Sequence, residues 1–217
     1  KMPNLEDLSI QGIREISLND IKYCNDLGYK IKLLGNSLIS KDLNGKEELF
    51  CSVKPWLIAK NFGLSNVSGV INAVQIESSL AGSVMITGAG AGGEPTASAV
   101  LADIVDIANG TKLFSFGRNS YDIKEKFKTT PYREKYKFYL RLNVIDKSGI
   151  LADLTSIFKD CNISIESVIQ KSNQEDKTAE LVIITHKANN LVLEDALSSI
   201  IKLEGVITKP VCLSIYS

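Results

Sequence analysis

A glycine-rich run that empties into an apolar helix constrains this chain more than any other stretch: Thr87-Gly88-Ala89-Gly90-Ala91-Gly92-Gly93-Glu94-Pro95-Thr96-Ala97-Ser98-Ala99-Val100. Missing Cβ atoms at Gly88, Gly90 and Gly92 allow positive φ and let another molecule approach the peptide groups closely. Pro95 fits the first turn of a helix, where its missing N–H costs nothing. From Val100 the apolar residues Leu101, Ile104, Val105, Ile107 and Ala108 recur at three-to-four spacing, and Asn109-Gly110 supplies a left-handed stop. The expected order is strand, glycine loop, helix N-terminus, an arrangement that points unpaired N–H groups at an occupant of the loop. By itself the run supports two readings, a tight turn with no ligand and an anion-binding loop. It is not the dinucleotide fingerprint, whose acidic partner ends the following strand; Asp106 lies inside the helix.

Charge excludes several classes of partner. Lys plus Arg number 25 and Asp plus Glu number 25 among 217 residues, so no net field recruits nucleic acid or anionic lipid. No apolar run reaches the length of a membrane span and no signal peptide opens the sequence, so a cytoplasmic setting is expected. Cys24, Cys51, Cys161 and Cys212 are far apart and read as small hydrophobes, with no metal site. His186 is the lone histidine and ends an apolar run; it reads as a strand-end residue, and any Ser-His-Asp or Cys-His arrangement would have to converge on it.

The remaining patterning divides the chain. Leu8 to Ile16 reads as a strand, Leu18-Asn19-Asp20 as a helix start and Ile21 to Leu27 as a short helix closed by Gly28. Tyr29 to Leu34 alternates, Asp42 to Lys46 turns and Leu49 to Val53 returns, a hairpin that Pro55 should break or bring to a sheet edge. Val67 to Gln75 and Ser79 to Ile86 supply two more strands, for a mixed sheet of roughly four or five. Residues 111–135 lose periodicity and interleave charges with Phe114, Phe116, Tyr121, Phe127 and Tyr132; they read as a linker lying against both neighbours. Alternating basic and aromatic residues also suit single-stranded nucleic acid, but acidic residues interrupt this run. From Tyr136 onward strands at Phe138–Ile145, Ile163–Ile169, Glu180–Thr185 and Val211–Tyr216 alternate with helices at Ile150–Phe158 and Leu191–Leu203, giving the βαββαβ plan.

Residues 136–217 resemble an ACT domain, the amino-acid sensor module, through that element order, the turn Asp146-Lys147-Ser148-Gly149-Ile150-Leu151 and the strand entry Asn162-Ile163-Ser164-Ile165. The resemblance implies an effector held between two paired domains by backbone groups of the turn and a polar side chain near the second strand. The positions carried over are Asp146, Gly149, Ile150, Leu151 and Asn162. Ser148 stands where many such turns carry proline, and a purely structural, dimer-forming module is the other reading.

Residues 1–110 resemble the C-terminal part of the homoserine dehydrogenase catalytic region. The matching segments, in order, are Gln11-Gly12-Ile13, Lys30 to Leu34, Val67 to Val74, and the glycine run continuing through Pro95-Thr96-Ala97-Ser98-Ala99-Val100 to Asp103-Ile104. The expected fold is therefore α/β (α+β): a mixed-sheet dimerisation and substrate domain fragment, a linker, then a ferredoxin-like ACT domain.

The implied activity is NAD(P)-dependent interconversion of homoserine and aspartate semialdehyde, at the branch toward threonine and methionine, with threonine as feedback effector and a homo-oligomer as the assembly. The resemblance places Gly90, Ala91 and Gly92 beside the nicotinamide end of NAD or NADP. It also implies that the Rossmann domain and the catalytic lysine and carboxylates lie upstream of Lys1, so that this stretch alone is expected to be inactive. Asn109-Gly110-Thr111 copies a tripeptide of that upstream segment but here caps a helix. An amino-acid sensor acting through partners is the alternative.

Overall fold

The computed structural model describes residues 2–41, 44–111, 126–127 and 135–216. Two short strands, β1 (Met2–Pro3) and β2 (Ser9–Ile10), precede helix α1 (Leu18–Asp26). The expected strand over Leu8–Ile16 shrinks to these two residues of β2, which run parallel to Ser52 and Val53. Ser17, one residue before the expected start, caps α1: its Oγ accepts from the Asp20 N–H while its own N–H donates to the Asp20 carboxylate. This capping box satisfies two orphan donors at once. Gly28, at φ 87°, ends the helix as the sequence predicts.

Strands β3 (Tyr29–Lys41) and β4 (Glu47–Ala59) form a long hairpin in register from Tyr29 opposite Ala59 to Lys41 opposite Glu47. The expected turn falls partly at 42–43, outside the described residues. Pro55 does not interrupt this pairing; it sits opposite Leu33 within the hairpin. On the other side of β4 the partner changes across it, from β2 at Ser52 and Val53 to a C-terminal strand at Trp56–Ile58. A residue with no N–H to donate is tolerated where one ladder stops and the next begins.

After β4 come β5 (Ile71–Ser78), β6 (Gly82–Ala89) and helix α2 (Gly93–Ala108). A short pair joins β1 to β7 (Lys126–Phe127), and the rest of the expected linker lies outside the described residues. The C-terminal region runs β8 (Lys135–Ile145), α3 (Ile150–Asp160), β9 (Ile165–Asn173), β10 (Thr178–Thr185), β11 (Ala188–Asn189), α4 (Asn190–Ile200) and β12 (Val211–Tyr216).

The first region does not close a mixed sheet of its own. β12 pairs antiparallel with β8 and parallel with β4, so one eight-stranded sheet runs β2-β4-β12-β8-β10-β9, with β3 on β4 and β11 on β8. Trp56, Leu57 and Ile58 of β4 are fully buried, as parallel pairing in a sheet covered on both faces requires. Among the described residues β5 and β6 pair only with each other.

Alternation along β8 assigns its two faces. Phe138, Leu140, Leu142 and Val144 pack with Leu154 and Phe158 of α3 and Leu193 and Ala196 of α4. Tyr139 on the opposite face packs with Tyr23 and Cys24 of α1 and with Leu57, Val182 and Ile215. The helices of the βαββαβ unit cover one face as expected, and α1 from the first region covers the other.

A charged clamp fixes α1 there. Asp20 is fully buried; its Oδ1 accepts from Arg141 Nε at 2.6 Å and Tyr139 OH at 2.8 Å, and its Oδ2 accepts from Arg141 Nη2 at 3.0 Å and Ser17 N at 2.7 Å. Glu180 extends the network, accepting from Tyr23 OH at 2.9 Å and lying 3.6 Å from Arg141 Nη1. Burial is the largest influence on the Asp20 carboxyl and would raise its pKa, but the donors from Arg141, Ser17 and Tyr139 together outweigh it and hold the group below its ordinary value. Cys24 is buried, Cys51, Cys161 and Cys212 are half-buried, and burial pushes the Cys24 and Cys212 thiols up to about 12. Among the described residues no helix is long and apolar enough to cross a membrane.

Candidate functional site

The glycine loop is held open by its backbone. β6 ends at Ala89, and the Gly90 N–H folds back to donate to Val70 O at 2.7 Å. Gly92 then takes φ 126° and ψ 149°, a conformation restricted almost entirely to glycine, and a Cβ there would also press on Pro95 Cδ at 3.3 Å. Thr96 closes the first turn of α2, donating from both N and Oγ1 to Gly92 O at 3.2 and 2.7 Å.

No side chain caps this helix, so its first N–H groups face outward beside Gly92. Gly90, Ala91 and Gly92 are all exposed. This is a cradle that a Cβ would fill, and its free N–H groups leave hydrogen-bond donors for the carboxamide of a nicotinamide. At its far end α2 stops at Asn109-Gly110 as expected: Gly110 N donates to Ile107 O and Thr111 N to Asp106 O, the paired bonds of a Schellman stop.

The flank at Gly90 is occupied. A Cβ built there would overlap the Asn72 carboxamide, with Oδ1 at 2.8 Å and the other two atoms nearer still. A side chain at Gly90 would have to displace the Asn72 carboxamide, whereas at Gly92 the backbone conformation itself calls for glycine. Asn72 lies within the Val67–Val74 segment that resembles the family, and the sequence marks no role for it. The available signal was an asparagine within a strand, where that residue is disfavoured.

The proposed effector residues fall at opposite ends of α3. In the turn, Asp146 N donates to Lys177 O at 2.9 Å and Lys147 N to Ile145 O at 2.9 Å, while Gly149 adopts φ 96° as the N-cap. Asp146, Gly149 and Leu151 are exposed, and Ile150 is buried. Asn162, at φ 53°, is the left-handed stop of the same helix; its N–H donates to Lys159 O and that of Ile163 to Phe158 O. Eleven helical residues separate the two ends by about 16 Å. A single chain does not bring Asn162 to the turn. His186 follows β10 and is exposed, with Nδ1 3.8 Å from Glu166.

The geometry of loop and sheet has counterparts. The homoserine dehydrogenase family profile matches residues 1–105 and the ACT domain profile residues 138–205. Homoserine dehydrogenase of Helicobacter pylori is 34% identical over 207 residues, covering 95% of this chain and 47% of the relative. That of Neisseria gonorrhoeae is 36% identical over 214 residues, covering 96% and 48%. The crystal structure of a homoserine dehydrogenase from Thiobacillus denitrificans superposes with TM-score 0.81 and 30% identity over 99% of this chain and 49% of that one.

The chain belongs to the homoserine dehydrogenase family. It carries an ACT domain, and it spans about half the length of the curated relatives it matches. Within the family frame the glycine loop and the turn before α3 lie in separate profile matches, Gly90–Gly92 in the first and Asp146–Asn162 in the second. Among the described residues no cluster of His, Cys, Asp or Glu is arranged to hold a metal.

Proposed function

We propose that this chain is the dimer-forming and regulatory part of an NAD(P)-dependent homoserine dehydrogenase, interconverting homoserine and aspartate 4-semialdehyde in the cytoplasm. The observation that carries the reading is the Gly92 seat: a glycine-only backbone conformation, exposed, beside the uncapped N-terminus of α2. NAD or NADP, when bound, supplies the acceptor for the hydride leaving the hydroxyl-bearing carbon of homoserine. Gly90, Ala91 and Gly92 form the surface on which its nicotinamide end rests, and the absent side chain at Gly92 permits close approach. The residues that move the hydroxyl proton are assigned to the other half of the family's length.

In this reading residues 1–110 form the dimerisation and substrate portion, 111–135 the linker and 136–217 the regulatory domain. Threonine is the proposed effector. Its carboxylate is received by the outward N–H groups at Gly149, Ile150 and Leu151 beside Asp146, and its polar end by Asn162 of a second copy. Separation of these groups along α3 supports a site shared between copies, and hence a homo-oligomer.

The experiment is turnover of homoserine by the full-length protein with NAD and NADP, followed through reduced-nicotinamide absorbance and repeated with threonine. Turnover that threonine slows supports the whole reading. An amino-acid sensor acting through partners is the second reading, favoured by the core that α1 and the βαββαβ unit build without β5, β6 or α2. Threonine binding heat with no turnover selects it.

A further inference from the structure

Asn72 is the second residue of β5 and pairs across the hairpin with Gly88. Because the chain doubles back after Ala89, the carboxamide of Asn72 lies against the open α-carbon face of Gly90, where any Cβ would overlap it. The Gly90 N–H bond to Val70 O at 2.7 Å pins the same residue from the other side. The carboxamide is therefore positioned by contact, while Asn72 remains exposed and its Nδ2 and Oδ1 make no hydrogen bond among the described residues.

We infer that Asn72 is a positioning residue for the cofactor, offering its carboxamide to the carboxamide of the nicotinamide from the flank of the Gly92 seat; this rests on the dehydrogenase reading above. An asparagine amide presents one acceptor and two donor hydrogens on a neutral group. A nicotinamide carboxamide presents the same set, so the two can pair by two reciprocal hydrogen bonds. Neutrality matters as well: a charged side chain there would favour one redox state of the ring over the other, and Asn72 favours neither. Gly90 thus leaves room for the Asn72 carboxamide and holds the loop to β5.

The test uses the full-length protein and the fluorescence of NADH and NADPH on binding, with their reduced 3-acetylpyridine analogues, in which a methyl replaces the amide nitrogen. N72A and N72L are compared, the second retaining the volume of the side chain without its polar atoms. Both are expected to weaken binding of the natural cofactor by roughly three- to tenfold, the range of one or two neutral hydrogen bonds. The acetylpyridine analogue, lacking one of the two bonds already, should lose at least threefold less. The thermal midpoint should stay unchanged. Equal losses on natural cofactor and analogue would assign Asn72 to holding the loop and overturn the inference, as would unchanged binding in N72L. If the wild-type protein bound neither NADH nor NADPH and turned over no homoserine, the dehydrogenase reading itself would fall, a result distinct from either.

Discussion

Strand β12 and helix α2 are both apolar and both regularly patterned, yet every residue of β12 described by the structure is buried or half-buried, and no residue of α2 is. β12 sits between β8 and β4, closed in by the two halves of the sequence at once. α2 presents Val100, Leu101, Ile104, Val105 and Ile107 as exposed side chains, and β6 next to it is exposed along its length. The difference teaches that an apolar stripe states that a partner is needed without saying which chain segment supplies it. It also divides the molecule along a line other than the two family matches. One body unites α1, β3, β4 and the ACT unit, and the other consists of β5, β6, the glycine loop and α2.

The joint of the first body is where the largest effect is expected. Replacing Asp20 by alanine leaves the nearly buried Arg141 guanidinium with the longer contact to Glu180 in place of its bidentate partner, and breaking a buried pair from one side costs about 3–5 kcal/mol. Urea unfolding of the 217-residue chain measures it, and a loss below about 1 kcal/mol would mean that α1 is held by packing alone. The pH dependence has a definite sign. Because the folded Asp20 carboxyl is held below its ordinary value, the clamp is complete above about pH 4, weakens as pH falls past it and vanishes below the lowered value. D20N should lack that acid limb while retaining part of the hydrogen bonding.

Leu57 tests the same joint without charge. It is fully buried, pairs with Ile31 on one side and Ile215 on the other, and packs with Tyr139 and Tyr23. Leu57→Ala is expected to cost about 2–5 kcal/mol in the same assay. A small loss would show that the first region and the ACT unit fold as separable pieces, restoring the boundary that the family matches draw.

In the second body the expected effect falls on binding. Alanine at Gly92 must adopt φ 126° and meet Pro95 Cδ, a strain of about 1–3 kcal/mol. The loop is exposed and can relieve that strain by shifting, so G92A should leave the urea midpoint of the ACT-containing body in place. In the full-length protein it should weaken nicotinamide cofactor binding by roughly tenfold, the equivalent of about 1.4 kcal/mol. A drop in the global midpoint equal to that of L57A would merge the two bodies into one cooperative unit.

How much of this was legible in the sequence depends on the range of each interaction. Gly28, Gly110 and Gly149 announced helix ends or starts because a left-handed residue acts on the backbone within a few positions, and the structure places all three at positive φ. The βαββαβ order was legible for the same reason. The union of β4 with β12 was not, because it pairs residues such as Trp56 and Ser214 across most of the chain, and parallel pairing leaves no turn signature between them. Pro55 pointed to an interruption, but only on one of its two sides. The Asp20–Arg141 clamp spans 121 positions, and nothing local distinguishes Asp20 from an ordinary helix-start residue. At the candidate site the glycines carried their own signal through the backbone, whereas Asn72 acts through a contact across the hairpin and had only its poor strand propensity to mark it.

The smallest predicted effect probes the contrast most directly. Ile104 lies mid-way along α2 on its apolar stripe and is more than half exposed, so Ile104→Ser removes a large hydrophobe that makes no core contact within the described residues. In the 217-residue chain the change should fall within about 0.5 kcal/mol, and the loss of helix propensity accounts for much of that. In the full-length protein the same substitution should cost several times more if the other half of the family's length covers this stripe, because the side chain then leaves a packed interface. The ratio of the two losses is therefore the measurement: a ratio near one would mean that α2 stays uncovered in the whole protein, and the glycine loop at its N-terminus would then lack the neighbour that the proposed function requires.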